Sequence, residues 1–150
     1  MCDLELVNDR LNALIGNLSA QSRKEMARNI AKKLRASQQQ NIKRQQSPDG
    51  TPYKPRKEQP IRGKKGRVKR EMFAKLRTAK YLKARATTNE AVVEFAGSVQ
   101  RMVRVHQYGL RDRASRGGKE VRYEARPLLG ISQNDQQIIE GILITSLSEY

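Results

Sequence analysis

The side chains best suited to chemistry are scarce in this chain. Among 150 residues there is one histidine, His106, and one cysteine, Cys2. Nucleophilic catalysis needs a nucleophile, a base and a group that orients the base, all within hydrogen-bond reach, and two residues far apart in sequence do not supply that set. A zinc site needs more nitrogen and sulfur ligands than the chain holds. A lone cysteine forms no intramolecular disulfide and suits a reducing compartment. Gly117-Gly118-Lys119 is followed by Glu120, where a phosphate-binding loop requires Ser or Thr, and no glycine stands at the required place upstream. The fifteen acids include no pair that spacing singles out. The sequence therefore predicts no catalytic residue, no metal ligand and no cofactor. His106 shares a helical face with Met102 and Val103 and reads as a core or interface histidine.

Positive charge is abundant. The chain carries 31 Lys or Arg against 15 Asp or Glu. Residues 23–85 hold 22 of the bases and 4 of the acids, a local balance of +18 that leaves −2 for everything else. The densest stretch, from Tyr53 to Arg70, has nine cations (Lys54, Arg56, Lys57, Arg62, Lys64, Lys65, Arg67, Lys69 and Arg70) and one acid, Glu58. Such a segment repels copies of itself and draws in phosphate or carboxylate surfaces. Its only aliphatic residues are Ile61 and Val68, too few to offset the entropy of ordering it alone, so the expectation is a flexible arm. Nucleic acid is one partner these cations suit. Yet stacking on single strands needs interleaved aromatics, and the segment has only Tyr53 at its edge. An acidic protein surface suits them as well.

The elements follow from periodicity. Leu4, Val7, Leu11, Leu14 and Leu18 form the stripe of an amphipathic helix that starts at Asp3. Ser19 or Ser22 is placed to cap a second helix, with Met26, Ala27, Ile30, Ala31 and Leu34 on its apolar side, Lys24, Arg28, Lys32 and Arg35 on its basic side, and a Gln-rich tail toward Gln46. Pro48-Asp49-Gly50 ends it in a turn. Met72, Phe73, Leu76, Ala79 and Leu82 predict a helix over 71–82, and 84–88 with 91–96 predict a hairpin around Asn89-Glu90. A helix follows to a cap at Gly109, then a loop, a half-buried strand over 119–125, and a last helix opened by a Ser132/Asp135 capping box. No stretch approaches the ~20 apolar residues of a membrane span. The first apolar run is too interrupted for a secretory signal.

The fold class expected from this order is α+β, with a small antiparallel sheet made by the hairpin and the 119–125 strand and packed with helices. Two N-terminal helices and the flexible basic arm precede it. The divisions are an N-terminal helical region over 1–47, the arm over 48–70 and a compact body over 71–150, one domain in all. The N-terminal helices are expected to project or to pack across a neighbour.

Three landmarks carry a resemblance. Residues Ser37 to Pro55, SQQQNIKRQQSPDGTPYKP, fit the pattern S-x(n)-Q-x-x-PDG-x-P-[WY]-x-P. Val103 to Gly109, VRVHQYG, fit a helix ending in H-Q-[FY]-G. Glu124 to Ser132, EARPLLGIS, fit a strand running into ARP-[FL]-LG-[IL]-S. In this order they resemble the phage virion morphogenesis family, from about Ser19 to the end of the chain. The resemblance implies a structural virion protein, not an enzyme, needed for tail completion and head–tail joining at the head-proximal end of the tail, made in the host cytoplasm. It also implies assembly with itself into a ring, commonly of six. Partners would be tail tube or tail terminator and head connector proteins, with DNA in passage as an alternative and no membrane. A transient assembly chaperone is the other open reading. The family positions are Pro48, Asp49, Gly50, Tyr53, His106, Gln107, Tyr108, Gly109, Arg126, Pro127, Leu129 and Gly130. Each suits either ordinary folding or partner contact: Tyr53 as an aromatic anchor with its hydroxyl at the surface, Arg126 as a fork for a carboxylate.

Overall fold

A computed structural model describes residues 3–55, 71–113 and 117–148. The expected arm, with Arg56, Lys57, Arg62, Lys64, Lys65, Arg67, Lys69 and Arg70, lies outside the described residues except for its first members. The described elements are helices α1 (Asp3–Gly16), α2 (Ala20–Lys43), α3 (Gln100–Tyr108) and α4 (Gln133–Ser148), and strands β1 (Leu82–Ala86), β2 (Ala91–Phe95), β3 (Arg111–Arg113) and β4 (Glu120–Arg122). The α+β class holds. The strands make two antiparallel pairs instead of one sheet: β1 with β2, and β3 with β4 in the register Arg111 to Arg122, Asp112 to Val121 and Arg113 to Glu120.

The chain divides into two compact units. The first comprises the described parts of Met1–Arg35, Ala84–Val93 and Gln133–Tyr150. Of the two candidate caps for α2, Ser19 is the one used, since its Oγ accepts from the Ser22 N–H at 3.1 Å. Met26, Ala27 and Ala31 on α2 are buried. The hairpin tip closes through Thr87 N–H to Glu90 O at 2.8 Å, and Thr87 Oγ1 accepts from the Glu90 N–H at 3.0 Å. Asp135 stands in the first turn of α4, fully buried, where the unsatisfied N–H groups and positive end of the helix dipole favour a carboxylate.

The second unit comprises the described parts of Ala36–Lys83 and Glu94–Ser132. Ile42, Tyr53, Leu76, Leu82, Phe95, Val103, Val105 and Leu128 are buried there. Two expectations fail here for identifiable reasons. The apolar period over 71–82 does not give a helix. Phe73 sits at φ 63°, a left-handed conformation that an α-helix does not tolerate, and the chain proceeds in turns such as Leu76 N–H to Phe73 O and Tyr81 N–H to Thr78 O. The strand over 119–125 shrinks to three exposed residues, and its partner is the Arg-rich segment 111–113, which reads as loop in sequence. On α3 Met102 faces out and Val105 is buried in its place beside Val103.

Candidate functional site

All twelve family positions fall in the second unit, and most of them converge on one extended segment, 123–131. This segment is not part of a sheet, so its backbone groups need other partners. Side chains supply them. Gln107, on the last turn of α3, accepts from the Leu128 and Leu129 N–H groups with Oε1 at 2.7 and 3.0 Å and donates from Nε2 to Leu129 O at 2.9 Å. Gln38, on α2, does the same for one residue: Nε2 donates to Gly130 O at 2.8 Å and Oε1 accepts from Gly130 N–H at 3.2 Å. The Tyr53 hydroxyl donates to Pro127 O at 2.9 Å, and Arg126 N–H reaches His106 O at 2.7 Å. A primary amide carries a donor and an acceptor spaced like a peptide group, so these glutamines stand where a neighbouring strand would.

A third glutamine works in the same way at the end of α2. Gln45 lies at φ 56°, and the bonds Gln46 N–H to Asn41 O and Gln45 N–H to Ile42 O close the helix in a Schellman motif, a place glycine usually takes. Its side chain offsets the strain: Nε2 donates to Ile42 O and Met72 O, both at 2.8 Å, and Oε1 accepts from Met72 N–H at 2.9 Å. These bonds hold residue 72 in place and help explain why 71–82 is not helical.

The Pro48-Asp49-Gly50 turn follows. Gly50 is at φ 91°, its N–H donates to Ser47 O at 2.9 Å, and Asp49 Oδ1 accepts from Thr51 N–H at 2.9 Å, which holds the Asp49 carboxyl below the usual range. The turn packs back on the extended segment. A Cβ at Gly130 would come within 2.8 Å of Pro48 Cγ. Gly109 is equally confined, at φ 67°, with a Cβ there reaching 2.8 Å from Ala125 N. Glycine is required at both, at Gly130 by space and at Gly109 by space and conformation.

Past the turn the chain enters the basic segment, and its root is fixed. Tyr53 is buried, and burial raises its phenol pKa. It begins a row of edge-on aromatic contacts, Tyr53 to Phe73 at 5.7 Å, Phe73 to His106 at 4.9 Å and His106 to Tyr123 at 5.0 Å between ring centres. Arg126, also buried, donates from Nε to Lys54 O at 2.8 Å and from a terminal nitrogen to Pro55 O at 3.1 Å. Lys54 Nζ lies 3.1 Å from Glu124 Oε2 on the surface, and the hydrogen bond and charge of Lys54 hold the Glu124 carboxyl below its ordinary pKa. Two expectations are corrected. The Tyr53 hydroxyl is turned inward to a carbonyl instead of to the surface. The Arg126 fork takes two main-chain carbonyls instead of a carboxylate, because the segment it faces presents backbone oxygens there.

Of the family positions, only Tyr108 is strongly exposed among the large side chains, at 67%. Gln38 and Gln45 lie inside the Ser37–Pro55 stretch, and Gln38 carries no signal beyond a Gln-rich helical tail. Gln45 is the Q of the Q-x-x-PDG pattern, which was the one available clue.

A Tyr53 clamp on Pro127, a Gln107 amide along the Leu-Leu-Gly segment and a proline turn lying on Gly130 join the three landmarks into one structure. The phage virion morphogenesis family matches residues 2–148. The chain belongs to that family. Within it the chain is similar to the Tail completion protein S of Escherichia phage P2, 45% identical over 148 residues that cover 98% of this chain and 99% of that one. No solved structure matches.

Proposed function

We propose that this chain is a structural protein of tail completion in a bacteriophage, that it forms a closed ring at the head-proximal end of the tail, and that this ring makes the tail competent to join the head. The observation that carries the reading is the match along almost the full length of both chains to a tail completion protein. The geometry is in keeping with it. The side chains of the family positions are spent mostly on holding an extended backbone and a turn, which is what a rigid assembly component requires.

The basic segment supplies the contact. Its root at Lys54 and Pro55 is held by Arg126, so the cations from Arg56 to Arg70 are delivered from a fixed point on the second unit. Their counterpart is an acidic surface on a neighbouring subunit, a tail tube or terminator protein, or a head connector protein, engaged through charge-assisted hydrogen bonds. Reversing Lys64, Lys65, Arg67 and Lys69 to Glu is expected to give unjoined heads and tails while the purified protein keeps its circular dichroism spectrum. Normal joining by that variant overturns the proposal.

The formal charge of +16 favours one competing reading, in which the same segment touches DNA in passage. Fluorescence anisotropy across a salt series separates the two, because phosphate contacts give a steep linear fall of log affinity with log salt. Mass spectrometry of purified particles separates both from a chaperone that leaves before maturation.

A further inference from the structure

The first unit is poorly closed on itself. None of the eleven large aliphatic side chains described on α1 and α4 is fully buried. Leu6 and Val7 are 57% and 56% exposed and Leu14 44%. Surface helices normally bury one stripe, and a stripe left this open marks a contact surface.

Charge indicates what covers it. At 100° per residue, Glu5 and Asp9 lie side by side on α1 with Leu6 and Ala13 next to them, all exposed. Arg10 lies on the far side of Leu6. On α2, Lys24, Arg28 and Lys32 recur every four residues and are likewise exposed. Both stripes therefore repeat about every 6 Å along their helices. Among the described residues none of these five charges enters an ion pair. Like charges at this spacing repel within their own helix, and each stripe is relieved by meeting the other. A foreign polyanion would engage α2 alone and leave the flank of α1 uncovered. A second copy of the chain offers a counterpart to both at once.

We propose that neighbouring copies join through α1 and α2, the Glu5/Asp9 stripe with Leu6 of one copy lying along the Lys24/Arg28/Lys32 stripe of the next. The contact uses different patches on its two sides, so it is directional and able to close a ring. It rests on the ring reading above and names the surface that builds it.

The test is sedimentation equilibrium of the full-length protein and of two variants at low salt. One variant carries Glu5→Lys and Asp9→Lys, the other Lys24→Glu, Arg28→Glu and Lys32→Glu. Each alone is expected to lose about tenfold or more in self-association, since attractive pairs become repulsive. An equimolar mixture should recover it, because each variant's altered stripe then meets a complementary one. The milder Glu5→Gln, Asp9→Gln protein should weaken association in the same direction, and its mixture with the α2 variant should stop at pairs, because only the α2 variant's Glu5/Asp9 stripe then meets an intact basic stripe. Variants that associate like the parent overturn the contact and leave the ring reading standing. Loss in the α2 variant alone, or a mixture that stays dissociated, also overturns it. A parent protein that is monomeric at every concentration and salt removes both the contact and the ring.

Discussion

Replacing Gln107 by Leu keeps the side chain near its original volume and deletes three hydrogen bonds, those to Leu128 N–H, Leu129 N–H and Leu129 O. Leu128 is fully buried, and among the described residues no strand lies beside the segment to take over. A buried polar group left without a partner costs roughly 1–3 kcal/mol. The three groups share one side chain and relax together, so the sum is less than additive, and about 3–5 kcal/mol is expected. Domains of this size have about 5–15 kcal/mol in total and melt about 2–4 °C lower per kcal/mol lost. Urea unfolding followed by circular dichroism should thus show a midpoint shift that consumes about a fifth or more of the stability, with the m-value unchanged. Tyr108→Ala, one residue along on the exposed side of the same helix turn, should stay within about 0.5 kcal/mol of the parent. A Gln107→Leu protein within about 1 kcal/mol of the parent would refute the claim that side-chain amides replace a strand here.

Gly130→Ala should destabilise by about 1–3 kcal/mol through the clash with Pro48 Cγ and Cβ, and in a Pro48→Gly background, which removes both atoms, the same change should cost much less if the clash is the cause. Arg126→Lys keeps the charge but loses the planar fork, and about 1–2 kcal/mol is expected from urea unfolding. Tyr53→Phe leaves Pro127 O unpaired and should lower stability by about 1 kcal/mol at neutral pH. The raised phenol pKa means that the neutral hydroxyl stabilises the fold fully below the ordinary value of 10.0 and progressively less as pH rises above it, so the gap between parent and variant should narrow in that range. A constant gap contradicts the burial of that hydroxyl. Lys54→Ala should move the Glu124 carboxyl titration, read by NMR, upward toward its ordinary value of 4.5 while leaving the melting temperature unchanged, because the pair is exposed.

The sequence alone determined the helices α1, α2 and α4, the hairpin turn, the glycine cap of α3 and the family. Each rests on local spacing or on an ordered motif, and local backbone preference is decided within a few residues. It also determined the charge map, which is a property of composition. Tertiary structure decided what the motif residues do. Whether Arg126 meets a carboxylate or a carbonyl, and whether the Tyr53 hydroxyl points in or out, depends on chain segments more than seventy residues away. The same holds for 71–82, whose apolar period is helical but whose backbone is claimed by Gln45 from the end of α2. Strand β3 was illegible because Arg111, Asp112 and Arg113 are all charged and carry no apolar alternation, and only the partner strand defines them. Amides that act as a missing strand leave no periodic trace, since their meaning lies in what they face across space.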